Sequence, residues 1–299
     1  MKTQPARLLL SLLLFSFLLT ALSGQAGPNP LSVQYEELTA PEFIQAIQQS
    51  GGICLLPAGI MEKHGPHLPL GTDLFLSREI ALRGAHKEYS LVFPPYYFGQ
   101  IFEARHQPGT VAYSPELVWN ILEETCEELS RNGVKKIIIV NGHGGNTHFF
   151  SYFCQSQLAR ETDYQVYLFT PDDGEVGDEI AALRTTDYGG HADEVETSMM
   201  VATRPDLVKA ERGGTQSGRD RQRLQDLPFA YTGIWWYASY PNHYAGDGST
   251  PNKEIGELSL ESDSDQLAEL IRYLKANDPV GTLQEQFHRE AKDPLKTGQ

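Results

Sequence analysis

The stretch LLPAGIMEKHGPHLPLGTD, Leu55 to Asp73, decides how this chain is read. Apolar and small residues at its start have the look of the end of a buried strand. A short loop follows that carries Glu62, His64, His67 and Asp73, stiffened by Gly65, Pro66, Pro69 and Gly71. Oxygen and imidazole donors this dense suit a divalent metal of the zinc, manganese or iron type. Glu62 and His64 are two apart, so in an extended segment both side chains point to one side. Asp73 is the natural carboxylate to bridge two ions, having a donor pair just upstream. It is equally placed to cap a helix that begins at Leu74.

Two later stretches supply what such a loop lacks. Asn141 to Asn146 reads NGHGGN and follows Ile137 to Val140, a β-branched run without alternation, as expected of a strand covered on both faces. Glycine around His143 lets backbone approach a bound group closely. His191 to Ser198 reads HADEVETS, with His191 just before a predicted helix and Glu196 in its first turns. A helix starting near Asp193 puts Glu194 and Glu196 on different faces, so the two do not serve one ion. The acidic run also complements a helix dipole without any ligand role.

Around these loops the pattern alternates strand and helix. Thr39, Pro41 and Glu42 read as a cap, a first-turn proline and a capping-box partner, opening a helix with Phe43, Ile44 and Ile47 inward. Ile53 to Leu56 and Leu91 to Phe93 are predicted strands. Ser114-Pro115-Glu116 opens a helix with Leu117, Ile121, Leu122, Cys126 and Leu129 on one face, closed by Asn132-Gly133. A helix over about 147–160, a strand from Gln165 to Thr170 and a short helix before His191 complete the series. Residues 211–226 are polar and read as a flap, and 261–275 as an amphipathic closing helix. Buried strands alternating with helices predict a doubly wound α/β sheet. Ligand sites in that architecture gather at the carboxyl ends of strands, where the first two loops sit. The intervening loop from Tyr96 to Tyr113 holds Glu103, Arg105 and His106. Trp235, Trp236 and Tyr237 either line a pocket or belong to the core.

Bulk properties bound the rest. The chain has 299 residues, 40% hydrophobic and 21% charged, with a net charge of −15. Such a chain gains nothing from counterion release on a phosphate backbone, which argues against nucleic acid as a partner. Lys2 and Arg7, the apolar run Leu8 to Leu19 and Gly24-Gln25-Ala26 have the anatomy of a secretory signal peptide over residues 1–26. Export to the periplasm or the medium follows from that reading, with one domain over 27–290 and no membrane contact after cleavage. Cys54, Cys126 and Cys154 are an odd count with no metal-site spacing, and read as buried thiols.

The three loops resemble the creatininase (creatinine amidohydrolase) family: EKHGPHLPLGTD, then NGHGGN, then HADEVETS, with weaker echoes at Pro108 to Thr110 and Gly246 to Glu257. The resemblance covers residues 35 to 275. It implies a three-layer α/β/α sandwich with a mostly parallel sheet, two divalent ions per subunit, and hydrolysis of a C–N bond in a small-molecule amide or short peptide by metal-activated water. It further implies Glu62, Asp73 and His143 as ligands of one ion, His64, Asp73 and Glu196 as ligands of the other, and His191 as the catalytic histidine. Glu194 is then placed to orient His191 or take up a proton. A homo-oligomer, such as a hexamer, is also implied. Two departures stand out. Creatininase has a tyrosine and a metal-binding glutamate where this chain has Gly144 and Gly145, and tryptophans ahead of the catalytic histidine where this chain has none, which argues against creatinine as substrate. The competing expectation is an exported metal-containing protein that binds a small metabolite without turnover.

Overall fold

The computed structural model describes residues 31–172 and 174–296, so the leader expected over 1–26 lies outside the described residues. The first helix, α1 (Ala40–Gln49), has its capping box formed by Thr39 and Glu42 as the sequence predicts. Ala46 is its buried residue, whereas Ile44 is exposed. The inward stripe is thus narrower than the apolar pattern implies. Strand β1 (Ile53–Ala58) is buried throughout and leads through the donor loop into α2 (Thr72–Lys87). Strand β2 (Leu91–Val92) follows, then α3 (Pro115–Arg131), whose Ser114 side chain accepts a hydrogen bond from Leu117 N. On α3 the buried face is Val118, Leu122, Cys126 and Leu129, and Leu117 is left exposed.

Strand β3 (Lys136–Asn141), α4 (Thr147–Ser156), β4 (Gln165–Phe169) and α5 (Gly174–Leu183) continue the alternation. Then come α6 (Glu194–Thr203), the single turn and a half of α7 (Trp235–Ser239) and the long α8 (Lys253–Ala276). The final helix, α9 (Pro279–Ala291), buries none of its residues, as a peripheral tail should. Among the described residues no helix is long and apolar enough to cross a membrane.

The strands lie in the order β2-β1-β3-β4, all parallel, with Leu55 opposite Ile138 and Ile138 opposite Tyr167. Successive side chains of a strand alternate between faces. Leu55, Ile138 and Val140 therefore share a core with Ile80 and Ala81 of α2 and Leu260, Leu267 and Ile271 of α8. Cys54, Leu56, Ile137 and Ile139 point the other way, toward the side where α3 and α4 bury Leu122, Cys126, Phe150 and Phe153. With helices on both sides of a parallel sheet, the expected α/β/α layering is present.

Helix α6 is held against α8 by a very close crossing. A methyl group on Gly256 would lie 2.1 Å from the carbonyl oxygen of Ser198. Alanine is the better helix former by roughly 1 kcal/mol, but a backbone oxygen cannot step aside without moving its helix. The steric term wins, so G256A should destabilise the protein by about 2 kcal/mol, read as a fall in melting temperature of several degrees. An unchanged melting temperature would show that α6 is free to shift.

Candidate metal centre

The chain leaves β1 on one side to form β2, then returns to add β3 on the other side of β1. A crevice opens at the carboxyl ends where the direction of winding reverses, and nothing in the sheet fills it. Glu62 and His64 enter it from the loop after β1, and His143 from the residue pair after β3. Asp73 enters from the first turn of α2 and Glu196 from the first turn of α6. Gly142 lets these parts close together: its N–H donates to Ala58 O at 2.7 Å, and a Cβ there would lie 2.4 Å from Asp73 O. Asp73 does not cap α2. The cap position is Gly71, and the Asp73 carboxylate is turned inward instead.

The side chains predicted from the sequence meet. Asp73 Oδ1 lies 2.7 Å from His64 Nε2, and Oδ2 lies 3.4 Å from His143 Nδ1. Glu62 Oε1 is 2.7 Å from His143 Nδ1, and Glu196 Oε1 is 3.6 Å from His64 Nε2. Their donor atoms form two groups compact enough to hold an ion, Glu62 with Asp73 and His143, and His64 with Asp73 and Glu196, sharing Asp73. Glu62, His64 and Asp73 are almost wholly buried. Glu62 Oε1 and Asp73 Oδ2 nevertheless have no hydrogen-bond partner among the described residues. Buried anionic oxygens without donors are costly. Carboxylates and imidazoles are the donor set that zinc, manganese and iron accept, so these residues fit a divalent pair.

The same crowding shifts the titration of His64, His143, Glu62 and Glu196. Burial by itself would lower the pKa of His64, but Asp73, Glu196 and Glu62 outweigh it and raise it to about 10. His143 is likewise pushed up, its burial overcome by Glu62 and Asp73. Burial opposes the ionisation of Glu62, yet the neighbouring His143 and His191 hold its carboxyl below the usual range. Glu196 moves the other way, raised chiefly by burial. A raised histidine keeps its proton at neutral pH, and an incoming ion must displace it. Affinity for Mn(II) or Zn(II) should therefore rise with pH between 6 and 9, with proton release visible by calorimetry in buffers of differing ionisation enthalpy. Uptake without proton release would contradict this electrostatic picture.

His191 sits against this cluster, its ring 4.4 Å from that of His64, and its donor atom groups with those of Glu62 and His64. Its Nε2–H donates to Lys63 O at 2.9 Å. A carbonyl only accepts, so Nε2 carries the proton and Nδ1 is left as the basic nitrogen. Glu194 corrects the sequence expectation. Its carboxylate accepts from the N–H and hydroxyl groups of Thr185 and Thr186, at 2.7 to 3.0 Å. One residue past the Asp193 cap, it faces the opposite side of α6 from Glu196. It ties down the segment ahead of His191 through Thr185 and Thr186 and is not placed to orient that ring.

His67 also stays out of the ligand groups, its Nε2 2.8 Å from Thr197 Oγ1. His106 anchors a loop through Pro241 O at 2.9 Å, its ring edge-on to Tyr237. A residue the sequence reading passed over is His243, buried beside His191 with ring centroids 4.5 Å apart. Its Nε2 meets Glu62 Oε2, and its Nδ1 accepts from Trp236 Nε1 at 2.8 Å. Nothing in its local pattern marks it; only the fold brings it to Glu62, 181 residues away.

A cleft of about 570 Å³ borders the centre, lined by Glu103, Arg105, His106, Gly145 and His148, with Phe149, Tyr231 and Tyr237 as aromatic walls. Gly145 is the contact point. A Cβ there would lie 2.4 Å from His143 Nε2 and 2.8 Å from Glu103 Oε1. The space of the missing side chain is thus bordered by Glu103, which arrives from a different loop and accepts from Gln100 Nε2 at 3.2 Å. Of the aromatic cluster, Tyr237 lines the cleft and Trp236 backs the histidines.

Comparison with known proteins agrees with this geometry. Creatinine amidohydrolase of Pseudomonas putida is 28% identical over 263 residues, covering 81% of this chain and 96% of that protein. The 3-dehydro-scyllo-inosose hydrolase of Thermotoga maritima is 26% identical over 308 residues, covering 90% and 96%. A crystal structure of creatinine amidohydrolase (creatininase) superposes with a TM-score of 0.68 at 26% identity, over 81% of this chain and 97% of that one. The creatininase family, described as creatinine amidohydrolase, matches residues 36–271. On a match of that extent the chain belongs to the creatininase family.

Proposed function

We propose that this hydrolase cleaves an amide, cyclic amide or formamide C–N bond in a small molecule or short peptide, using two divalent ions held by Glu62, Asp73 and His143 and by His64, Asp73 and Glu196. The observation that carries this reading is the pair of buried donor groups sharing Asp73 at the edge of an open cleft. Solved creatininases include a Zn–Zn type and a manganese form, which supports zinc or manganese here, with iron admitted by the same donors. Such ions supply Lewis acidity and a water of lowered pKa.

The protein's own groups do the rest. His191, its Nε2–H committed to Lys63 O, has Nδ1 as a base to take up the proton of the attacking water and then pass it to the departing nitrogen. The N–H groups of Gly144 and Gly145 precede the first hydrogen bond of their turn, Asn146 N to His143 O at 3.0 Å. They are available to a substrate oxygen in the cleft. The Phe149, Tyr231 and Tyr237 walls suit a flat substrate. A homo-oligomer is part of the proposal, supported by the exposed apolar segment with Phe229, Tyr231, Ile234 and Trp235. Export remains a proposal resting on the leader-like residues Lys2 to Ala26.

The test is hydrolysis of a panel of cyclic amides, formamides, short peptides and an inosose, with and without chelator. Chelator-sensitive turnover of a C–N substrate is expected, and turnover of the inosose alone would move the reaction class. H191A should retain the metal content of the wild type and lose turnover by roughly 10²- to 10⁴-fold. Loss of metal from H191A would make His191 a ligand instead.

A further inference from the structure

His243 occupies a backbone conformation that its residue type disfavours. Its φ is +50°, in the left-handed region that any Cβ makes costly and that glycine enters freely. The turn it closes, His243 N to Tyr240 O at 2.9 Å, is made by backbone alone. Glycine would make that turn with less strain. What keeps a histidine there must therefore be its side chain, which is buried.

The contacts of that side chain are ordered. The indole N–H of Trp236 donates to His243 Nδ1 at 2.8 Å, so Nδ1 bears no proton and the ring's single N–H is at Nε2. That N–H points to Glu62 Oε2. The other oxygen of the same carboxylate, Oε1, stands 2.7 Å from His143 Nδ1, within the group that fits an ion, and has no hydrogen bond. The two oxygens of Glu62 are thus given separate duties. Metal ligands are commonly fixed by such an outer partner, and its loss costs metal affinity.

We propose that Trp236 and His243 form a positioning pair for Glu62: the indole sets the histidine tautomer, and the histidine holds one carboxylate oxygen so that the other faces the divalent ion. His243 is a positioning residue that acts through Glu62. This inference rests on the metal-dependent reading above.

The strain itself provides the experiment. Mn(II) and Zn(II) affinities are measured by chelator competition on the wild type, H243G, H243Q and W236F, together with the melting temperature of each metal-free protein. H243G removes strain and the hydrogen bond together. It should bind metal roughly 10- to 100-fold more weakly whichever way its melting temperature moves, because relieved strain and the lost buried hydrogen bonds act on stability in opposite directions. H243Q, whose amide N–H takes the place of Nε2–H, should recover part of that affinity. W236F, which leaves His243 in place with its tautomer unset, should lose an intermediate amount. The electron paramagnetic resonance spectrum of bound Mn(II) should change in H243G and W236F. A merely structural His243 would give a lower melting temperature with unchanged affinity. Affinities within twofold of wild type in both H243G and W236F overturn the proposal, and W236F decides it should H243G fail to fold. A wild type that takes up neither ion sinks the metal-dependent reading itself, a distinct outcome.

Discussion

Glu62, Asp73 and Glu196 bring three carboxylates together at one point, with two of them almost wholly buried. Like charges at that separation in a place poorly reached by water repel strongly and lose their hydration. Positive charge has to be supplied locally. The imidazoles of His64 and His143 supply some of it, and their raised affinity for protons measures how much the carboxylates demand. Divalent ions, which these donors fit, would answer the same demand more completely. The rest of the molecule can be understood as what is needed to hold those anions in place.

The sheet does most of that holding. A parallel sheet buried on both faces is rigid, and its winding reverses between β1 and β3, so their loops face each other across a crevice. Two of the donor segments are therefore delivered by neighbouring strands, and Asp73 by a helix that the first loop feeds directly. Glu196 comes from farther along the chain on α6, whose position depends on packing against α8 and α2. The tight crossing at Gly256 is the point where a core contact and the position of a candidate donor become the same question.

The centre also shows how little room the surrounding groups have. Glu194 lies two residues from a predicted ligand and is fully engaged elsewhere, while Glu103 and His243 reach the site from other segments. Neighbourhood in sequence is a poor guide at a helix start, because adjacent residues point in directions about 100° apart. The buried stripes of α1 and α3 show the same limit. Both helices begin where their caps predict, but Ile44 and Leu117 face outward, because which apolar residues are covered depends on what packs against them.

The sequence by itself determined the elements that rest on local chemistry: the capping box at Thr39, the buried run of β3, the serine cap of α3 and the donor-rich loops at two strand ends. It also pointed, through the family resemblance, to a candidate donor set whose side chains the fold brings together. Only the tertiary structure decided which way each carboxylate turns, that Glu103 borders the space beside Gly145, and that His243 reaches Glu62. Those facts depend on contacts between segments distant along the chain or on the rotation of one helix against another. Neither quantity is written in a local pattern; both are set by packing.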